Sequence, residues 1–241
     1  MNLLTIGNSF SQDATRYLNK IAKSDGIDID VVNLCIGGCP LSRHYSNIQT
    51  DEKAYEMEYN GDDIGEKASL KETIASRKWD YITLQQVSHE SIDYKTYQPY
   101  LNKIVAYIRD VAPDAKIAIH QTWAYEQGSD RLCNELKYKK QSEMFEDIKS
   151  AYDKAAIEVN ADMIIPSGEM FRRLIENGMT VHRDTFHASL GLGRYALGLL
   201  WYVKLTGNSV EENTFCQFDE EILEESIKKI KQIVENFIDT I

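Results

Sequence analysis

Cysteine is scarce in this chain of 241 residues. Its four cysteines, Cys35, Cys39, Cys133 and Cys216, form no C-x-x-C pair. No histidine or cysteine cluster near Cys35 and Cys39 completes a zinc-binding spacing. Reduced structural thiols are therefore expected. Basic residues are in deficit: 27 Lys and Arg face 38 Asp and Glu, a formal net charge of -11. That balance argues against sequence-independent binding to DNA or RNA, which needs clustered Lys and Arg, and against docking on anionic membranes. A neutral or modestly charged small partner fits better. No apolar run approaches the ~20 residues of a membrane span. No basic, apolar and small-residue leader pattern opens the chain, so a cytoplasmic protein is expected. Linkers, repeats and low-complexity stretches are also missing. The length and the hydrophobic fraction of 43% predict one domain over residues 1–241 with a full core.

What is present begins with Leu3-Leu4-Thr5-Ile6-Gly7-Asn8-Ser9-Phe10-Ser11. The apolar residues read as a short buried strand that stops at Gly7. An amphipathic helix follows, with Ala14, Tyr17, Leu18 and Ile21 on one side. This strand–turn–helix pattern puts Ser9 at the carboxyl edge of a sheet, where open α/β sheets bind ligands. The first amides of the helix would suit an oxyanion. A plain helix cap by Ser9 or Ser11 explains the same letters.

Further strands are expected over 29–35, 79–84, 116–120 and 161–165, the last three each followed by a helical pattern. The second ends in the turn Ile36-Gly37-Gly38-Cys39-Pro40. The third ends in Gln85-Gln86-Val87-Ser88-His89, whose amides could donate into a cleft or bond loop carbonyls. The fourth runs into Gln121-Thr122-Trp123-Ala124-Tyr125, an aromatic loop suited to sugar stacking or to packing. Residues 41–78 are the least regular, with a hairpin signal at Asn60-Gly61, and read as a small insertion beside the carboxyl edge. The alternation of strand and helix predicts an α/β fold with a parallel sheet.

Near the C-terminal third stands Asp184-Thr185-Phe186-His187. At a spacing of three, the carboxylate could hold the His187 Nδ1 proton and leave Nε2 as a base. With Ser9, that makes an activated nucleophile in the chain order Ser, Asp, His. The hydrolase elbow G-x-S-x-G is absent. An N-cap Asp and a surface His are the plainer reading of D-x-x-H.

Together these segments resemble the SGNH (GDSL-like) hydrolase superfamily, in its bacterial branch related to carbohydrate esterases. Gly7-Asn8-Ser9-Phe10-Ser11 matches the first block, with Asn8 in place of the usual Asp. Asn33-Leu34-Cys35-Ile36-Gly37-Gly38 is similar to the second, and Asp184-Thr185-Phe186-His187 to the last. The resemblance implies a flavodoxin-like three-layer α/β/α sandwich with about five parallel strands. It implies Ser9 as nucleophile, His187 as base, Asp184 as its partner, and an oxyanion hole from the amides of Ser9 and Gly38. The third block departs: no asparagine matches, and Gln86 is the side chain expected to supply the missing donor. The implied activity is hydrolysis of short-chain, chiefly acetyl, esters on small molecules or glycans, without cofactor. His44, Trp123 and Tyr125 are expected on the pocket wall. Two rival readings remain: a metal hydrolase using His182, Asp184 and His187, and a sugar- or nucleotide-binding or inactive relative.

Overall fold

A computed structural model describes residues 1–238. Its sheet has seven strands in the order β4-β3-β2-β1-β5-β6-β7. The strands are β1 (Asn2–Gly7), β2 (Asp30–Cys35), β3 (Tyr55–Tyr59), β4 (Asp62–Ala68), β5 (Tyr81–Leu84), β6 (Lys116–Gln121) and β7 (Met163–Pro166). The five at 2–7, 30–35, 81–84, 116–121 and 163–166 pair in parallel. Each is a short apolar run with both faces covered, as parallel strands require. The expected count of about five therefore fits the parallel part. The remaining two strands come from the irregular stretch 41–78. Its hairpin does not stand apart but extends the sheet, β3 pairing antiparallel with β2 and β4 with β3. The outermost strand β4 is charged and largely exposed, which protects an open edge.

From β1 the chain moves to β2 on one flank and later returns to β5 on the other. The strand order thus reverses at β1, and the carboxyl end of such a strand is where open α/β sheets bind ligands. Helices α1 (Ser9–Thr15) and α2 (Leu18–Ser24) contact α8 (Leu192–Thr206), which also meets α7 (Ser167–Glu176) and α9 (Glu224–Ile238). A second group joins α3 (Leu41–Thr50), α4 (Leu70–Ala75) and α5 (Tyr100–Val111). Right-handed crossovers in opposite directions from β1 put these two groups on opposite faces, giving the three layers. Helix α6 (Gln141–Glu158) packs on β6 and β7. Helix α8 is buried nearly all round, from Tyr195 to Val203, and forms the middle of its layer.

The first amphipathic segment is two helices rather than one. The break falls at Arg16 and Tyr17, whose side chains bond to other elements. Arg16 Nη1 donates to the Gly61 carbonyl of the β3–β4 turn, and the Tyr17 hydroxyl donates to the Leu190 carbonyl. All four cysteines are unpaired. No helix among the described residues is long and apolar enough to cross a membrane.

Candidate active site

The turn after β1 is built so that Ser9 keeps its hydroxyl free. Asn8 caps α1, its Oδ1 accepting from the Phe10 amide at 3.0 Å. Ser11 is turned inward and donates to Asn33 Oδ1 and the Asn8 carbonyl, both at 2.8 Å. Neither serine is the cap, so the plainer reading of the motif falls to Asn8. Gly7 is required by crowding, since a Cβ there would lie 2.6 Å from Ser11 Oγ. Behind the turn, Asn33 donates to Glu58, which also accepts from Gln12. Burial pushes the Glu58 carboxyl up, partly offset by these two bonds.

The loop 181–190 brings the other two residues. His187 Nε2 lies 2.8 Å from Ser9 Oγ, and His187 Nδ1 lies 2.8 Å from Asp184 Oδ2. The second Asp184 oxygen accepts from the His187 amide at 2.9 Å, so one carboxylate fixes both the ring and its backbone. Burial pushes Asp184 up, but the bonds from His187 outweigh it and hold the carboxyl below its ordinary value. The site is open to solvent: the Asp184 side chain is 45% exposed and that of His187 17%.

An exposed loop needs anchoring to hold such distances. Thr185 sits at φ 75°, in the left-handed region that a β-branched residue avoids. Its carbonyl accepts from the Glu126 amide at 2.7 Å, and the next carbonyl, of Phe186, accepts from Trp123 Nε1 at 2.8 Å. The firmest tie is Asp13, fully buried and one turn beyond Ser9 on α1. Its carboxylate accepts from the Ala188 amide at 3.0 Å, from Arg194 Nε at 2.8 Å and from Arg183 Nη1 at 2.9 Å. Residues four apart share a helix face. Helix α1 therefore presents Ser9 and grips Ala188, the residue after His187, with one surface. Sequence reasoning passed over Asp13, Arg183 and Arg194, which are brought together only by the fold.

Gly38 lies in an exposed turn at φ 62°, where an L side chain is strained. That turn is tied to the Ser9 turn by the Asn8 side-chain amide on the Cys39 carbonyl at 3.4 Å and the Ile36 amide on the Gly7 carbonyl at 3.2 Å. These two bonds set the turn that carries Gly38 beside the turn that carries Ser9.

Gln86 does not join them. It is fully buried, and its Nε2 donates to Glu90, the Thr96 carbonyl and the Thr96 hydroxyl at 3.1–3.2 Å. Its Oε1 accepts from the Leu41 and Val87 amides at 2.9 Å. Every polar site of the amide is occupied, so the expected oxyanion role is corrected to an internal brace. Gln85 is likewise spent, between Asn8 Oδ1 and His120 Nδ1. The three expected wall residues are also beneath the surface. Trp123 is fully buried and stacks on Phe10 at 4.3 Å. The Tyr125 hydroxyl is 2.8 Å from Ser88 Oγ, and His44 Nδ1 is 2.8 Å from the Tyr55 hydroxyl. All three are buried, so none offers a face to a ligand.

Burial pushes His44 and His120 down to about 3 and His182 down to about 4. His182 Nε2 lies 3.0 Å from the Ala124 carbonyl oxygen, which separates it from Asp184 and His187 as a ligand set. The described residues contain no group of three His, Cys, Asp or Glu side chains able to hold a metal ion.

The fold has counterparts. Residues 2–230 match the family model DUF4886, a domain of unknown function. A DUF4886 protein from Bacteroides uniformis superposes with a TM-score of 0.89 at 34% identity, over 99% of this chain and 94% of that one. A candidate SGNH hydrolase from Slackia heliotrinireducens gives a TM-score of 0.60 at 20% identity, covering 85% and 98%. An acetylxylan esterase from Geobacillus stearothermophilus gives 0.50 at 14% identity, covering 89% and 94%. The last two establish a shared fold, that of SGNH hydrolases. No curated protein sequence matches the chain.

Proposed function

The chain belongs to the DUF4886 family, and from that premise we propose that it is a serine ester hydrolase that removes short acyl groups, acetyl first, from carbohydrate alcohols. One observation carries the reading: a continuous line of hydrogen bonds from Ser9 Oγ through His187 to Asp184, each 2.8 Å long. A hydroxyl is a poor nucleophile at neutral pH unless a base takes its proton, and this line is what that activation requires. The SGNH hydrolase fold of its neighbours supports it, and the acetylated-xylan substrate of one of them suggests the acyl group.

Ser9 Oγ attacks the ester carbonyl carbon as its proton passes to His187 Nε2. Asp184 keeps Nδ1 protonated and stabilises the imidazolium. The carbonyl oxygen, now anionic, is held by the amides of Ser9 and Gly38. As the C–O bond breaks, His187 returns the proton to the leaving alcohol. Water then attacks the acyl-Ser9 ester with His187 again as base, releasing the carboxylic acid and restoring the hydroxyl.

A two-amide hole lacks a side-chain donor from the end of β5, and one such donor is worth about 10²–10³ in rate. That gap favours a second reading, a sugar-binding relative without turnover. Hydrolysis of 4-nitrophenyl acetate by the wild type and by Ser9→Ala separates the two. The esterase reading expects turnover that the substitution lowers by about 10³-fold or more. Equal rates in the two proteins would refute it.

A further inference from the structure

Arg131 opens the wide turn Arg131–Glu135 that follows β6. Its guanidinium carbon lies 4.0 Å over the centroid of the Phe186 ring. The same ring meets the His187 imidazole at 3.9 Å between centroids. Cation and base therefore touch one aromatic plate. The guanidinium also acts on the buried Tyr125 hydroxyl, by charge and by a hydrogen bond that it donates, and both oppose the upward push of burial on that phenol. The turn itself is fixed: Leu132 is fully buried, and the amides of Leu132 and Cys133 donate to Ser129.

What Arg131 lacks is an acid. In a chain of net charge -11, carboxylates are abundant. Arg16, Arg172, Arg183 and Arg194 each form a close ion pair. No carboxylate of the described residues comes within 4.0 Å of Arg131, although it is only half-buried. A guanidinium carries five N–H donors in a planar fork, so resting its face on an aromatic ring and bonding one hydroxyl still leaves donors for an anion in its plane.

The direction follows from the chemistry of the site. Gly38 belongs to the turn after β2, on one flank of β1, and Arg131 to the loop after β6, on the other. The leaving oxygen must face His187 Nε2 to be protonated. The alcohol half of the substrate then extends toward Phe186 and Arg131. We propose that Arg131 is a specificity residue for an anionic group, a carboxylate by its match to the guanidinium fork, carried on the alcohol half of the ester. This rests on the ester-hydrolase reading and narrows it to acidic alcohols, such as a uronic acid bearing an O-acyl group.

Two aryl acetates differing only in charge test it: 3-acetoxybenzoate and its neutral methyl ester. Wild type is expected to favour the anionic substrate in kcat/KM, and Arg131→Gln to cut the anionic-to-neutral ratio by about tenfold or more. Arg131→Lys, which keeps the charge but not the fork, should restore part of the ratio. An unchanged ratio in Arg131→Gln overturns the proposal, whether both rates fall together or neither moves. Binding of the product 3-hydroxybenzoate, measured by calorimetry, needs no turnover. Weaker binding to Arg131→Gln than to wild type supports the anion site even if neither ester is cleaved, a result that would sink only the esterase reading. Equal binding overturns the anion site whatever the turnover.

Discussion

The loop 181–190 and the end of β5 at Gln85-Gln86 invite the same sequence argument and come out opposite. Both carry polar side chains where a sheet edge meets a loop. In the first, Asp184 and His187 face solvent and spend their bonds on each other and on Ser9. In the second, both glutamines are buried and spend every polar atom on internal partners. The difference lies in where the backbone needs help. The β5 end sits beneath α3 and the 90–96 turn, whose amides and carbonyls would otherwise be orphaned, so the side-chain amides are consumed. Loop 181–190 has its own ties through Asp13, Trp123 and Glu126, which leave the Asp184 and His187 side chains to bond each other and Ser9.

The sharpest contrast comes from substituting each region. His187→Ala should lower kcat/KM for an aryl acetate by about 10³-fold or more while leaving the melting temperature nearly unchanged. A loss under tenfold would mean that the loop is not the reacting side of the pair. Next in size is Asp13→Asn, which leaves two arginines short of a buried anion and loosens the Ala188 tie. It should cost about 3 kcal/mol of stability, as broken buried pairs do. In the protein that remains folded, kcat should fall about tenfold to a hundredfold, because misplacing the base by an ångström is costly. A stability loss with unaltered kcat would show that the loop holds its geometry without α1.

Gln86→Ala is the counter-test. It strips partners from the Leu41 amide and the Thr96 carbonyl, so it should destabilise by about 3 kcal/mol and change kcat by less than tenfold. The reverse outcome, a hundredfold loss of kcat at full stability, would return Gln86 to the oxyanion hole.

The smallest effect extends the comparison to histidines. His44 and His120 are buried and held neutral, with values pushed down to about 3. Below pH ~6.5 the unfolded chain takes up protons that these folded side chains refuse. Their stabilisation is therefore complete above that pH and drains away as pH falls toward 3, at about 1.4 kcal/mol per pH unit for each fully shifted group. Thermal melts between pH 7 and 4 should show a falling midpoint, and a flat profile would contradict the neutral assignment.

Much of this was legible in the letters. Apolar runs at 3–6, 29–35, 79–84, 116–120 and 161–165 each became a parallel strand, because burial on both faces leaves that imprint. The stretch 41–78 showed its hairpin but not its attachment to β2, since edge pairing depends on a backbone register that side chains there do not encode. Among site residues, the Gly7–Ser9 turn stood out because a strand that ends in small polar residues is locally unusual. Trp123, Tyr125 and His44 misled: their residue types suit a sugar wall, yet burial is decided by tertiary packing. Asp13 was missed because a lone acid on a short helix carries no pattern until Arg183 and Arg194 arrive from a distance of 170 residues or more along the chain.

The most direct test is covalent. Exposure to a serine-reactive fluorophosphonate, followed by peptide mass mapping, should place one adduct on Ser9 in the wild type, none in Ser9→Ala and a far slower one in His187→Ala. Absence of any adduct on Ser9, or equal labelling with and without the imidazole, would contradict the account.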